Sequence, residues 1–265
     1  MRETVLIKGA GEQASGVAHR LYRCGFAVLM TELPRPSAVR LGVSFCTAIY
    51  DGEVVVEGIR GRAFGLGQFE RLGPPPWDFV PVFVDPRGEL IERWRPDVVV
   101  DGRILKYNPD DRVDQAGLTI GLGPGLLAGC DVHLVVETNR GHDLGRLILE
   151  GQAAPNTSVP GELGGASAKR VLRAPRGGVF RRQVPLGSLV RAGTLVASVE
   201  GSDLLAELDG VVRGLCRDGI VVAPGRKVGD IDPRGQVGSC TTLSDKARTI
   251  SGAVLEAILT YSSHR

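Results

Sequence analysis

Short apolar runs, each closed by a glycine, a proline or an acid, set the rhythm of the first 140 positions. Val5-Leu6-Ile7 predicts a buried strand: it is a brief apolar run ending in the glycine turn Gly9-Ala10-Gly11. The period then becomes helical over 13–24, with Val17, Ala18 and Leu21 on one face and Gly25 as the stop. A second strand is expected over 27–31, ending at Glu32. Pro34 and Pro36 break the chain, and 38–50 is ambiguous, with a short helix one reading. Further strands are expected over 53–58 (61–64 pairing with it), 80–86, 96–101, 118–120 and 131–137. A helical stretch lies around Leu90 to Trp94, and Gly73-Pro74-Pro75-Pro76 is a loop.

The texture changes at Asn156-Thr157-Ser158-Val159-Pro160-Gly161 and Gly164-Gly165, where a domain boundary is placed. From Leu172 the chain repeats itself with a shift of 32 residues. Ala174, Gly178, Val179 and Arg181 recur as Ala206, Gly210, Val211 and Arg213; Gly187, Val190 and Gly193 recur as Gly219, Val222 and Gly225. Two copies are too few for a solenoid, so the repeat predicts a small pseudo-symmetric sandwich of short strands. Ser244 and Asp245 open a final helix whose apolar face carries Ala247, Ile250, Val254, Leu255 and Ile258. So apolar a helix needs a large surface and is expected to pack back on the first domain.

The strand, glycine turn and helix at the N-terminus have the form of a dinucleotide-type βαβ unit. Gly9 can take backbone angles closed to other residues, Gly11 leaves the backbone open to a phosphate, and Ala14 and Gly16 allow the helix close to the strand. A helix start also suits an anion. Glu32 stands where a ribose-binding carboxylate is expected, about 20 residues beyond the glycines; the alternative is a solvated strand end. Gly9, Ala10, Gly11, Gln13, Gly16 and Glu32 are therefore candidate cofactor-binding residues.

Other chemistry falls at strand ends. Asp85 and Asp101 are placed to point into the crevice of an open α/β sheet, or each caps the turn that follows it. Asp101, Arg103 and Lys106 either surround an oxyanion or pair with one another. Gly121-Leu122-Gly123-Pro124-Gly125 is either an anion nest, with Gly123 and Gly125 as cofactor-binding candidates, or a wide turn. Glu137-Thr138-Asn139-Arg140-Gly141-His142 is the stretch richest in reactive groups. His142 is there as a candidate acid or base and Arg140 as an anion ligand; the alternative for His142 is a hydrogen bond to a loop carbonyl. The catalytic candidates are thus Asp101, Lys106 and His142, with Arg103 and Arg140 joining the binding set. No Gly-x-Ser-x-Gly elbow occurs, which disfavours a serine hydrolase.

Composition narrows the classes. The 265 residues are 43% hydrophobic and carry 32 basic and 30 acidic side chains, a net charge of +2 that does not suggest a nucleic-acid partner. Five dispersed cysteines without CxxC spacing argue against a metal site and fit a reducing cytoplasm. No basic-then-apolar leader or run of about 20 apolar residues occurs, so neither membrane insertion nor export is expected.

The second half resembles the biotinyl/lipoyl-carrier type of barrel-sandwich hybrid in Ala174-Pro175, Gly178-Val179, Gly187 to Gly193 and Asp209-Gly210-Val211-Val212. Where the carrier has its modified lysine, this chain has Val199-Glu200-Gly201-Ser202-Asp203-Leu204, so the resemblance implies the shape without the swinging arm and a contact with a partner. As a whole the chain resembles the YqeB-type accessory proteins of the selenium-dependent molybdenum hydroxylase system. The resemblance rests on Ile7-Lys8-Gly9-Ala10-Gly11, Met30-Thr31-Glu32-Leu33-Pro34, Gly121-Leu122-Gly123-Pro124-Gly125, Glu137 to His142, Asp230-Ile231-Asp232-Pro233-Arg234 and Ser244-Asp245-Lys246-Ala247. The first domain is also similar to the Rossmann part of XdhC-type molybdenum-cofactor chaperones.

The fold class expected is therefore a Rossmann-like α/β N-terminal domain (1–165), an all-β barrel-sandwich-hybrid domain (166–235) and a C-terminal helix (236–265) packing on the first. The resemblance implies maturation or cofactor loading of a molybdenum hydroxylase, with a nucleotide or molybdopterin dinucleotide as ligand and the hydroxylase or other maturation proteins as partners. A homodimer is left open. The competing readings are a small NAD(P)-dependent oxidoreductase and a non-catalytic protein-binding scaffold.

Overall fold

The apolar runs of the first half assemble into one nine-stranded sheet. The computed structural model describes residues 3–157, 159 and 161–263; Ser158 and Pro160, in the stretch where the domain boundary was placed, lie outside the described residues. The chain divides into two units. The first comprises Met1–Pro36, Ser44–Asn156 and Leu243–Arg265, and the second Ser37–Val43 and Thr157–Thr242.

In the first unit β1 (Thr4–Lys8), α1 (Glu12–Arg23) and β2 (Ala27–Glu32) are followed by α2 (Ala48–Asp51), β3 (Glu53–Val56), β4 (Ile59–Gly65), α3 (Phe69–Leu72) and β5 (Val80–Val84). Then come α4 (Glu89–Trp94), β6 (Val98–Asp101), β7 (Leu118–Leu122), β8 (Leu134–Val136) and β9 (Leu147–Ile148). The sheet order is β3-β4-β5-β2-β1-β6-β7-β8-β9. Its centre is parallel, and the outermost strands β3 and β9 run antiparallel to their neighbours. Central strands are apolar through their middle because both faces are covered: Val5, Leu6 and Ile7 in β1 and Val98, Val99 and Val100 in β6 are all buried, with the charged Lys8 and Asp101 at the carboxyl ends.

Close approach of α1 to the sheet depends on missing side chains. Gly102, just after β6, donates its N–H to the Lys8 carbonyl (2.9 Å), and a Cβ there would stand 2.6 Å from the Ala14 Cβ. Gly102→Ala is therefore expected to lower stability by about 1–3 kcal/mol, the usual cost of overpacking a rigid contact. A fall in the urea midpoint at unchanged slope would show it. The last helix, α5 (Asp245–Ser263), covers α1. It buries Ala247, Ile250, Ala253, Val254, Ala257 and Ile258, and Arg20 Nε donates to Ser251 Oγ at 2.8 Å.

The second unit holds β10 (Val171–Arg173), β11 (Gly178–Arg182), β12 (Leu189–Val190), β13 (Leu195–Val199), β14 (Ser202–Leu205), β15 (Gly210–Leu215), β16 (Val221–Val222) and β17 (Lys227–Asp232). They form two four-stranded sheets, β10-β17-β15-β12 and β14-β13-β11-β16. The 32-residue repeat carries β11, β12 and β13 onto β15, β16 and β17, and the two copies exchange their short middle strand between the sheets. The core between them includes Phe180, Val196, Val199, Val212, Leu215, Val228 and Ile231. Cys216 and Cys240 are buried here. Burial pushes the Cys216 thiol up to about 11 and raises Cys240 as well, so neither is a nucleophile near neutral pH.

This corrects the expected arrangement of a Rossmann-like domain followed by a barrel-sandwich hybrid. The large sheet is mixed, and regular helices of six residues or more join its strands only at β1–β2 and β5–β6; the connections from β6 through β9 contain none. The units are also discontinuous in sequence. Ser37–Val43 belongs to the second, where the N–H of Leu215 donates to the Val39 carbonyl at 2.8 Å. The change of unit falls after Asn156, and the second unit runs on to Thr242.

Candidate active site

At the carboxyl ends of β1 and β6 the sheet presents five charged side chains in mutual contact. Lys8, the last residue of β1, is buried, and its Nζ donates to Asp110 Oδ1 at 2.6 Å and to Asp111 Oδ1 at 2.8 Å. Arg103, two residues past β6, spans three carboxylates. Its Nε reaches Asp101 Oδ1 (3.0 Å), and its Nη2 reaches Asp101 Oδ2 (3.1 Å), Asp110 Oδ1 (2.6 Å) and Asp111 Oδ2 (2.7 Å). Two cations thus serve three aspartates. Asp101 and Asp111 are buried, while the side chains of Asp110 and Arg103 are 42% and 23% exposed.

Local chemistry builds this cluster. Asp101 Oδ1 caps the turn by accepting the Arg103 N–H (2.8 Å), which points the guanidinium back over its own strand end. Asn108 Oδ1 accepts the N–H groups of Asp110 (3.1 Å) and Asp111 (2.8 Å), and its Nδ2 donates to the Asp111 carbonyl (2.9 Å). That Asx turn sets the two acids side by side over Lys8. Gly9, at φ +87°, provides the room, since a Cβ there would lie 3.2 Å from Arg103 Cγ.

The two neighbouring aspartates titrate far apart. Burial, with the Asp101 carboxylate beside it, pushes Asp111 up to about 6 against the pull of Lys8. Partial burial would raise Asp110 too, but hydrogen bonds from Arg103 and Lys8 prevail and hold it at about 2. Arg103 is raised: its burial is outweighed by Asp110 and Asp101. Glu32 lies on the other side of the turn, accepting the N–H groups of Leu33 (2.7 Å) and Ala10 (2.9 Å). Burial raises its pKa, and those N–H groups and Arg103 oppose the rise.

Stability follows from these shifts. An unfolded aspartate titrates near 3.9, so between about pH 4 and 6 the folded chain holds the Asp111 proton that the unfolded chain has lost. This contribution therefore weakens stability as pH rises through that window. Asp110 acts oppositely: its stabilisation is present above the ordinary carboxylate range and is lost as pH falls towards 2. Asp111→Asn is expected to flatten the decline between pH 4 and 6 and to leave the acid-side loss in place, as read from urea midpoints across pH.

Other candidates from the sequence have different surroundings. Gln13 and Gly16 lie on α1, and a Cβ on Gly16 would stand 3.0 Å from the Ala247 Cβ on α5. Gly11 caps α1 with no close neighbour. Asp85 caps α4, accepting the N–H groups of Glu89 and Leu90 at 2.9 Å each. Gly123 approaches the Thr138 hydroxyl, and a Cβ at Gly125 would meet the Tyr107 N–H at 2.6 Å, so this glycine loop closes on the chain's own 104–107 segment. Arg140 pairs through two bonds with Asp245 at the start of α5 (2.5 and 2.7 Å). Lys106 and His142 are exposed and stand outside the cluster. Sequence reasoning missed Lys8, Asp110 and Asp111. The available signal was a lysine closing an otherwise apolar strand, together with the Asn-Pro-Asp-Asp turn.

No family model matches the chain. Over 257 residues, 97% of its length, it is 47% identical to the uncharacterized protein YqeB of Escherichia coli K12. The chain is a homologue of YqeB. It spans about half the length of that relative, 47%. Among solved structures it is compared with a succinylglutamate desuccinylase from Silicibacter sp. TM1040 (TM-score 0.25, 15% identity, covering 86% of this chain and 84% of that one). A succinylglutamate desuccinylase/aspartoacylase from Rhodobacter sphaeroides gives a TM-score of 0.27 at 17% identity, covering 86% and 84%. An aspartoacylase family protein from Mesorhizobium loti gives 0.27 at 14%, covering 87% and 85%. At these TM-scores the structures transfer neither fold nor activity. Among the described residues no group of three or more His, Cys, Asp and Glu side chains is placed to hold a metal ion, and no helix is long and apolar enough to cross a membrane.

The expected function, maturation of a molybdenum hydroxylase through a bound nucleotide or pterin dinucleotide, is corrected here. The charge of the site opposes the expected ligand. The glycine turn's Ala10 N–H is held by Glu32, and Lys8 and Arg103 are already neutralised by three aspartates. A pyrophosphate would bring at least two further negative charges next to four carboxyl groups in a partly buried site, where like charges repel strongly. The same charge balance removes the NAD(P) alternative.

Proposed function

We propose that the Lys8–Arg103–Asp101–Asp110–Asp111 cluster is an acid–base centre that moves a proton on a small polar substrate. The observation that supports this most is that Asp110 and Asp111, adjacent in sequence and held by the same two cations, differ in burial, Asp110 half-exposed and Asp111 buried beside Asp101, which drives their carboxyl groups apart, Asp110 down and Asp111 up. Pairs of carboxyl groups driven apart in this way separate an electrostatic role from a proton-carrying one. Asp111, ionising near 6, both takes and returns a proton near neutral pH. Lys8 and Arg103 would stabilise negative charge that develops on the substrate, Arg as a fork and Lys as a point charge. Asp101 orients Arg103 through its Nε and backbone N–H. The homologue carries no assigned activity that bears on this reading.

Proton transfer leaves an isotopic trace even when the natural substrate is unknown. A panel of small 2-oxo acids, 3-oxo acids and amino acids in D2O, followed by proton NMR, is expected to show catalysed loss of an α-proton signal. Asp111→Asn should slow that exchange by about 100-fold or more, the usual share of a general base. Exchange that persists at the same rate in Asp111→Asn would overturn the assignment.

A further inference from the structure

The cluster contains one member that is unlike the others. Asp101 and Asp111 are buried, but Asp110 is 42% exposed, and its two oxygens take the outward side of both cations. Arg103 Nη1 and Nη2 approach Asp110 Oδ2 and Oδ1 at 3.2 and 2.6 Å as a fork, and Lys8 Nζ meets Oδ1 at 2.6 Å. A planar two-oxygen anion on an arginine fork backed by a lysine is the geometry with which proteins hold the carboxylate of a ligand. We propose that Asp110 occupies the seat of a substrate carboxylate and is displaced when a small monocarboxylate binds.

Charge decides the class of ligand. With Asp110 swung out, Lys8 and Arg103 still face Asp101 and Asp111, with Glu32 across the turn, so a ligand that replaces Asp110 with one negative charge leaves the charge balance of the cluster unchanged. Such a seat accepts a single negative charge and disfavours a phosphate dianion. The mobile part is limited to one exposed side chain, because Asn108 holds the backbone of Asp110 and Asp111 in place. Nearby, Gln115 donates its Nε2 to the Asp110 carbonyl (2.9 Å), while its buried Oε1 accepts no hydrogen bond among the described residues.

This inference rests on the acid–base reading of the same cluster, but it fails separately. The probes are acetate, pyruvate and inorganic phosphate, titrated into the intact chain at pH 7 and followed by amide shifts in 15N NMR. Asp110→Ala removes the internal competitor and should bind acetate and pyruvate at least tenfold more tightly than the wild type. Asp110→Asn keeps the shape, loses the charge and should shift affinity in the same direction. Arg103→Lys, which loses the fork, should weaken binding to both acids. Equal affinity in wild type and both Asp110 variants would overturn the proposal, as would a preference for phosphate over acetate. Tighter carboxylate binding in the Asp110 variants, with proton exchange unaffected by Asp111→Asn, would keep the seat and reject the acid–base reading.

Discussion

Replacing Arg103 with leucine is expected to destabilise the chain by about 3–5 kcal/mol, the cost of leaving a buried ion pair with one partner. The guanidinium bonds all three aspartates, and two of them, Asp101 and Asp111, are buried at the sheet edge. Lys8 remains, but its single ammonium reaches Asp110 and Asp111, with no bond to Asp101. Asp101 would therefore keep its charge in a poorly solvated position or take up a proton. Urea unfolding near neutral pH should show the loss directly. The second substitution Asp101→Asn should restore part of it, because an amide tolerates the missing partner better than a carboxylate does. A loss below about 1 kcal/mol in Arg103→Leu would mean that water reaches the cluster freely and that the ion network contributes little.

Asp230→Ala should cost a similar amount, about 3–5 kcal/mol, in the second unit. Asp230 is fully buried in β17 and accepts bonds from Arg170 Nη1 and from Arg213 Nε (2.9 Å) and Nη2, with Lys227 at 3.7 Å. Burial would raise its carboxyl, but Lys227, Arg213 and Arg170 outweigh burial and hold it below the ordinary range. Its stabilisation is thus present above the unfolded carboxylate range and is lost as pH falls through the depressed value. The alanine variant leaves the largely buried guanidinium of Arg170 with only the Gly161 carbonyl as a hydrogen-bond partner among the described residues (2.8 and 3.1 Å). It should also lose part of the wild type's acid sensitivity. Urea midpoints at pH 7 and pH 3 would measure both effects.

How much of this was legible in the sequence depends on the range of the interaction. Val5-Leu6-Ile7 and Val98-Val99-Val100 announce themselves because a strand buried on both faces must be apolar throughout. Asp85 was readable as a cap because its partners, Glu89 and Leu90, lie within five residues. The cluster was not readable in the same way. Lys8 meets Asp110 and Asp111 across more than 100 residues, and Arg140 meets Asp245 across 105, so no local spacing encodes either pairing. The glycine turn misled for a related reason. Gly9 marks a place where something approaches the backbone, and that neighbour is Arg103, whereas Gly11 has none within 4 Å. The turn thus carries the chain's own charged loop, and the nucleotide expectation and the Rossmann-plus-hybrid arrangement drawn with it did not hold. Ser37–Val43 likewise joined the second unit through long-range pairing that its own composition does not reveal.

The most direct test of the account is a carboxyl carbon NMR titration of aspartate-labelled protein, assigned with Asp110→Asn and Asp111→Asn. The account predicts one resonance, absent in Asp111→Asn, with a midpoint at about 6, and another, absent in Asp110→Asn, that stays ionised down to about pH 2. Two coincident titrations in the ordinary aspartate range, about 3.5–4, would contradict it, because the acid–base centre would then have no group that exchanges its proton near neutrality.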